Sequence, residues 1–147
     1  MKIRDKRIID AYCKDDCGDW IYTLNDLSKL LFNKNKAARK CFFDVKTNSI
    51  TYKFIYIKTK DFNDWENIFY GKDGWVETYI GSETNLEKIM KRDENAYYII
   101  FIEARHTPTY GRRLTFKGVY LFDRTENNVN YYQFVDSKFN LNDIFEQ

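Results

Sequence analysis

Apolar and polar residues alternate, with short polar interruptions, through most of the chain after residue 41. Runs of this kind bounded by turn residues are typical of β-strands. They predict a hairpin around Thr47-Asn-Ser49, followed by strands at 75–80, 96–104, 114–122 and 129–135. The run at 96–104 is apolar almost throughout, which indicates a central strand.

The segment Arg113-Leu-Thr-Phe-Lys-Gly-Val-Tyr-Leu-Phe-Asp123 gives the clearest single strand prediction. Strict alternation would place Leu114, Phe116, Gly118, Tyr120 and Phe122 on one face, and Thr115, Lys117, Val119 and Leu121 on the other. Both faces are largely apolar, so we expect an interior strand covered on two sides. A glycine inside a strand often marks a bulge or a close backbone approach, and Gly118 is such a position.

Helical spacing is confined to shorter stretches. Residues 2–13 predict an amphipathic helix with Ile8, Ile9, Tyr12 and Cys13 on one face. A second helix is predicted through Leu24–Leu31, capped by Thr23 or Asn25 and ended by residues 33–36. A third would follow Thr84, with Glu87 at the capping-box spacing. Helical turns are expected at 61–67 and 141–145, and a turn at 70–74.

This order of elements, without regular strand–helix alternation, predicts an α+β fold. The expected architecture is a curved antiparallel sheet or a partly closed small barrel with flanking short helices. The chain has 147 residues, one proline and six glycines, and no Pro/Gly-rich linker divides it. A single domain over residues 1–147 is therefore expected.

Composition narrows the setting in which the protein acts. Hydrophobic residues make up 44% of the chain, but no apolar run approaches a membrane span, so no membrane partner is expected. The basic N-terminus lacks the apolar segment of a signal peptide. Three sparse cysteines fit a reducing compartment, and the predicted localisation is cytoplasmic. The net charge is only +2, so any basic surface must come from uneven placement.

Metal and nucleophile chemistry have weak support in the sequence. Cys13 and Cys17 have C-x3-C spacing, but Cys41 and the single histidine, His106, are distant from them. A zinc site needs three or four ligands, so incidental cysteines are the favoured interpretation. No phosphate-binding or dinucleotide-binding glycine motif occurs. We therefore expect no metal and no cofactor.

One enzyme alternative stays open. Asp44-Val-Lys46 on a predicted hairpin strand has the Asp-x-Lys form found in many nucleases, where carboxylates hold Mg²⁺ and the lysine assists the attacking water. The additional upstream carboxylate would have to come from Asp26 on a predicted helix. A metal-dependent nuclease is therefore an alternative, and a solvated strand face is the commoner meaning of so short a motif.

Basic and aromatic residues favour nucleic-acid binding. Arg105, Arg112, Arg113 and Lys117 cluster around the polar loop before the strand at 114–122. Guanidinium groups suit phosphates because their donors are paired in a fixed plane. Trp65, Trp75 and Tyr79 offer aromatic faces on which an unpaired or flipped base could stack. Filling the core is the competing explanation for these aromatics.

Three segments together resemble PUA-like domains, the superfamily that includes SRA, EVE and YTH readers. They are Tyr98-Ile-Ile-Phe101, Gly111-Arg-Arg-Leu-Thr-Phe-Lys-Gly-Val-Tyr-Leu-Phe-Asp123 and Tyr131-Tyr-Gln-Phe-Val135. The resemblance implies binding of RNA or modified DNA, often within restriction systems. It also implies that Trp65-Glu-Asn67 and Trp75-Val-Glu77 could supply an aromatic pocket for a flipped base.

The function predicted from the sequence is a nucleic-acid-binding module, with a modified or flipped base as its specific ligand and a role in restriction or defence. DNA or RNA is the expected partner. The alternative of a different class is a small phage or mobile-element protein that binds and inhibits a host protein. In that case the tyrosines and tryptophans would form the protein interface.

Overall fold

A computed structural model describes residues 3, 7–12, 18–36, 41–57, 64–103 and 113–144 of the chain. The elements, in chain order, are β1 Ile8–Asp10, β2 Trp20–Ile21, α1 Leu24–Phe32, β3 Phe42–Thr47, β4 Ile50–Ile57, β5 Trp65–Phe69, β6 Trp75–Tyr79, α2 Leu86–Met90, β7 Ala96–Glu103, β8 Leu114–Glu126, β9 Val129–Asp136 and β10 Lys138–Asn140. Short 3₁₀ helices lie at Gly71–Asp73 and Leu141–Ile144.

One eight-stranded sheet dominates the fold. Seven strands follow the order β3-β4-β7-β8-β9-β6-β5, and β2 pairs with the first residues of β8. All pairs in this sheet are antiparallel except β4 with β7, which run parallel. Since β3 and β5 end the order and do not pair with each other, the sheet is not closed. The predicted α+β class and curved sheet with short helices are confirmed.

The two sides of the sheet carry separate apolar clusters. On the side that we call the helix side, strand residues such as Phe54, Phe101 and Phe116 pack with α1 and with the β1–β10 pair. On the opposite side, which we call the cavity side, the buried residues include Tyr98, Tyr120, Tyr132 and Trp75. The central strands are thus covered on both sides, as predicted for β7 and β8.

A bulge at Gly118 changes which residues of β8 share a side. Pairing of β8 with β7 shifts register opposite Ile100 and Phe101, and Gly118 has a φ of +126°. As a result, Phe116 and Val119 belong to the helix-side cluster, whereas Tyr120 belongs to the cavity-side cluster. The bulge at Gly118 was predicted, but the single face running from Leu114 to Phe122 was wrong. The extra residue of a bulge reverses the alternation beyond it.

The β3–β4 hairpin and α1 form where the sequence predicted them. Asn48 and Ser49 both have positive φ, the conformation that a two-residue hairpin turn requires. Thr23 caps α1 by accepting a hydrogen bond from the Asp26 amide at 3.1 Å. Asn33, in the left-handed region, ends the helix.

Three local predictions were wrong. Residues 8–10 are a strand instead of part of a helix, because they pair with Lys138–Asn140 and bury only Ile9 fully. Residues 65–67 extend into β5 and pair with β6, so no helical turn forms there. Asn85, not Thr84, caps α2, since its side chain accepts from the Lys88 amide.

Neither helix in the described part of the chain has the length and apolar character needed to cross a membrane.

Candidate functional site

A cavity of about 570 Å³ lies on the cavity side of the sheet, between its two open ends. β3 and β4 form one wall, β5 and β6 form the other, and β7 and β9 contribute Tyr98 and Tyr132. The polar residues of the lining are Asp44, Lys53, Asn67, Glu77, Lys91, Arg92 and Asp93. The cavity therefore combines aromatic walls with a few polar groups, the usual make-up of a ligand site.

The carboxylate of Glu77 is the centre of a buried hydrogen-bond network. Its Oε1 accepts from Arg92 Nε at 2.7 Å, from Asn130 Nδ2 at 2.9 Å and from the Tyr132 hydroxyl at 2.5 Å. Oε2 has no hydrogen-bond partner within the part of the chain that the structure describes. A carboxylate accepts at both oxygens, so Glu77 keeps acceptor capacity for a ligand.

Arg92 ties the segment after α2 to the cavity wall. Its Nη1 donates to the carbonyls of Ile89 and Lys91, and its guanidinium carbon lies 5.0 Å from the centroid of the Trp65 ring. Burial alone would lower the pKa of Arg92, but the Glu77 carboxylate and Tyr132 raise it on balance. Arg92 is therefore a permanent cation within the cavity lining.

The two tryptophans of the predicted pocket have different environments. Trp75 is only 2% exposed, with Tyr132 stacked at 3.9 Å, Phe69 stacked at 5.6 Å and its Nε1 donating to Asn67 Oδ1. Trp65 is half-buried at the cavity wall. Trp75 is thus part of the scaffold, and Trp65 is the tryptophan with exposed surface.

Tyr79 is buried beside the cavity and does not line it. Its ring lies 5.1 Å from that of Trp65, its hydroxyl accepts from the Glu83 amide, and its carbonyl accepts from Asn128 Nδ2. Tyr79 therefore packs against Trp65 from outside the cavity lining.

Asp44 lies on the wall opposite Glu77. It pairs with Lys53 at 3.1 Å, and both side chains line the cavity. Lys46, the other residue of the Asp-x-Lys motif, is exposed and lies outside the lining. Within the described ranges no group of three or more His, Cys, Asp or Glu side chains could hold a metal ion. Asp44 is thus placed in a cavity wall as one half of an ion pair.

Arg113 and Lys117 are the two predicted phosphate-binding residues that the structure describes. Arg113 has its guanidinium carbon 4.9 Å from the Trp20 ring centroid, and Lys117 has its Nζ 5.8 Å from the Phe69 ring centroid. Neither lines the cavity. Arg105, Arg112, Cys13, Cys17 and His106 fall outside the described residues. Cys41 is a free, exposed thiol at the cavity lining.

Several lining residues had no role in the sequence prediction, above all Arg92, Lys53 and Tyr132. Glu77 and Asn67 were within the predicted pocket segments but were not named as site residues. The alternation of side chains along a strand could have shown that they face the cavity. Both share a side with Trp75 and Trp65, since Glu77 pairs with Asn67 across β5 and β6. Arg92 carried no such signal because it follows a helix.

Buried tyrosines around the cavity make stability sensitive to alkaline pH. Burial is the main reason that the pKa of Tyr98 is raised to about 12, and burial also raises the pKa values of Tyr120 and Tyr132. The unfolded chain ionises these groups near pH 10, so stability is complete below that pH and falls as the pH rises from 10 towards 12. We expect a loss of about 1.4 kcal/mol per pH unit for each tyrosine.

Urea unfolding between pH 8 and 11.5, with tyrosinate absorbance recorded in parallel, measures this effect. Tyr98→Phe should reduce the slope above pH 10. A slope unchanged by that substitution would contradict the assignment.

No protein-family model and no curated protein matches the chain. Among solved structures, the fold is similar to that of the 5-hydroxymethylcytosine-specific restriction enzyme AbaSI, with a TM-score of 0.67 over 94% of this chain. The sequences are 14% identical, and the match spans 44% of the AbaSI chain. The shared feature is therefore the fold.

Proposed function

We propose that this protein is a nucleic-acid-binding module, PUA-like in character and connected with restriction or defence, that admits one base into the cavity. The observation that carries the proposal is the Glu77 carboxylate, held at Oε1 by three donors and open at Oε2, in an aromatic cavity of about 570 Å³. Enzymes and readers that act on single bases take them out of the stack into such pockets.

Each part of the cavity has a role in this proposal. Trp65 is half-buried in the cavity lining with the Arg92 guanidinium over its ring, and in the proposal this pair forms the surface on which the base stacks. Glu77 Oε2 accepts a hydrogen bond from the base edge, which favours bases with an amino group over those with a carbonyl at the same position. The Asp44–Lys53 pair adds polar groups on the far wall, where a substituent on the base would lie.

Phosphate contacts in the proposal come from basic side chains. Arg105, Arg112, Arg113 and Lys117 are its predicted phosphate ligands, and Lys91, exposed at the cavity lining, is a further one. Such contacts set affinity for any sequence and make it depend on salt, whereas the cavity sets the choice of base.

Fluorescence titration with labelled oligonucleotides at two salt concentrations tests the proposal. Single-stranded and duplex probes would carry cytosine, 5-methylcytosine, 5-hydroxymethylcytosine or uracil at one position. We expect binding that weakens with salt and discriminates between these bases, and a Glu77→Gln variant that keeps the salt dependence but loses discrimination.

Two results would count against the proposal in different ways. Salt-dependent binding with equal affinity for all bases would mean that the protein binds only the nucleic-acid backbone, and that the cavity does not bind a base. The absence of salt-dependent binding to every probe would reject the nucleic-acid function.

A further inference from the structure

We infer that Asn130 and Tyr132 are positioning residues, which act through Glu77 to fix the oxygen that the cavity presents to a ligand. This inference rests on the proposed function, since it concerns how the same cavity selects a base. It assigns a role to two residues of β9 whose contacts with Glu77 would otherwise count only as structural.

Hydrogen-bond donors are divided unevenly between the two carboxylate oxygens of Glu77. Arg92, Asn130 and Tyr132 all donate to Oε1, and none donates to Oε2. A carboxylate offers about four acceptor sites over both oxygens, so three donors on one oxygen lock its orientation. Rotation of the carboxylate would break these bonds together, and Oε2 is therefore held towards the cavity.

The two donors on β9, Asn130 and Tyr132, are themselves held in place by their own contacts. Asn130 is fully buried and lies directly opposite Glu77 in the β6–β9 pair. Its Oδ1 accepts from Thr125 Oγ1 at 2.5 Å, which directs Nδ2 to Glu77. Loss of either partner would leave a buried amide group without a hydrogen bond, so one amide orientation is strongly favoured.

Tyr132 is fixed by its ring. The ring stacks on Trp75 at 3.9 Å and meets Tyr98 and Phe122 edge to face at 5.2 Å and 5.5 Å. These contacts fix the plane and axis of the ring, and the hydroxyl at its end therefore points towards Glu77. Because burial raises the pKa of Tyr132, this hydroxyl stays protonated and serves as a donor throughout the physiological pH range.

A fixed acceptor discriminates better than a mobile one. A base edge without a donor would leave Oε2 buried and unpaired, which is costly only if the carboxylate cannot turn to find another partner. Removing a donor from Oε1 should therefore reduce discrimination more than it reduces overall affinity.

A double-mutant cycle on base discrimination tests the inference. The readout is the ratio of dissociation constants for oligonucleotides carrying 5-hydroxymethyluracil and 5-hydroxymethylcytosine. Tyr132→Phe keeps the ring and removes the hydroxyl, and we expect the ratio to fall about 5- to 10-fold, as for the loss of one hydrogen bond. In the Glu77→Ala background the same substitution should leave the ratio unchanged, because the effect passes through Glu77.

Tyr120→Phe is the matched control. It also removes a hydroxyl from a buried tyrosine of the cavity side, but that hydroxyl donates to the Lys117 carbonyl at 3.2 Å and not to Glu77, and Tyr120 does not line the cavity. Its discrimination ratio should equal that of the wild type. Asn130→Leu, which removes the amide donor with little change in size and adds no charge beside Glu77, should lower the ratio as Tyr132→Phe does, and it serves if Tyr132→Phe does not fold.

The outcomes separate this inference from the proposed function. If Glu77→Ala abolishes discrimination while both Tyr132→Phe and Asn130→Leu retain it, the positioning role is overturned and the base site stands. Equal effects of Tyr132→Phe in both backgrounds, or a matching effect of Tyr120→Phe, would also overturn the positioning role. A wild-type protein without discrimination would overturn the base site and the inference together.

Discussion

Replacing Arg92 by methionine is expected to lower the free energy of unfolding by about 3 kcal/mol, the cost of removing one partner of a buried ion pair. The Arg92 and Glu77 side chains are only 23% and 11% exposed, so the Glu77 charge would lose its cation in a poorly solvated place. The same substitution releases the carbonyls of Ile89 and Lys91, which loosens the end of α2.

Arg124→Met is the matched control for Arg92→Met. Arg124 pairs with Asp123 and Glu126 at 2.5 Å and 2.7 Å and lies 4.1 Å from the Tyr131 ring centroid, yet its side chain is 50% exposed. Solvent screens exposed pairs, so its loss should change stability little. Urea denaturation with the m-value checked for each variant measures both effects.

Neutralising Glu77 should rescue the Arg92 variant. In the Arg92→Met, Glu77→Gln double variant no uncompensated buried charge is left, and the glutamine oxygen still accepts from Asn130 and Tyr132. We expect at least half of the lost stability to return. No recovery, or an equal loss in Arg124→Met, would show that charge burial is not the cause.

The second large effect is that the two tryptophans of the cavity region should differ in what their replacement changes: stability for Trp75 and base binding for Trp65. Trp75→Ala should cost about 3–5 kcal/mol of stability, because it removes a buried ring packed between Tyr132 and Phe69. Trp65→Ala should leave the fold largely intact and weaken base binding by about 1–3 kcal/mol, the typical cost of losing one stacking partner.

Thermal unfolding of both variants measures the change in stability, and oligonucleotide titration measures the change in base binding. Ile68→Ala, an exposed residue of β5, controls for general disturbance of that strand. A Trp65 variant with unchanged affinity for every probe would remove Trp65 from the site. A Trp75 variant as stable as the wild type would contradict the packing.

Local features of the sequence predicted most of the sheet. The two residues of the β3–β4 turn, the apolar run of β7 and the glycine in β8 each carry their signal within a few positions. The sequence of β1 carries no such local signal, because the spacing of Ile8 and Ile9 fits a helix as well as a short strand. Its partner, Lys138–Asn140, lies near the other end of the chain. Long-range pairing of this kind decides a short segment against its local pattern.

The site was predictable only in part for the same reason. The segments around Trp65 and Trp75 were predicted to form a pocket from their aromatics and the resemblance, and both tryptophans line the cavity. Alternation could have added Asn67 and Glu77. Arg92 was beyond such reasoning, since its guanidinium contacts Trp65 on β5, Glu77 on β6 and Tyr132 on β9 from outside any strand. Only the assembled sheet brings these groups together.

The position of β6 in the sheet has a consequence for synthesis of the protein. β5 and β6 pair with each other, and among the strands that the structure describes they join the rest of the sheet only through β9, which begins about fifty residues after β6 ends. An isolated two-stranded hairpin is marginally stable in water. During synthesis on the ribosome, the cavity wall that bears Trp65 and Glu77 can therefore join the sheet only after β9 has been made. The cavity is therefore among the last parts of the molecule to form, since a nascent chain lacking residues 129–136 cannot hold that wall against the rest of the sheet.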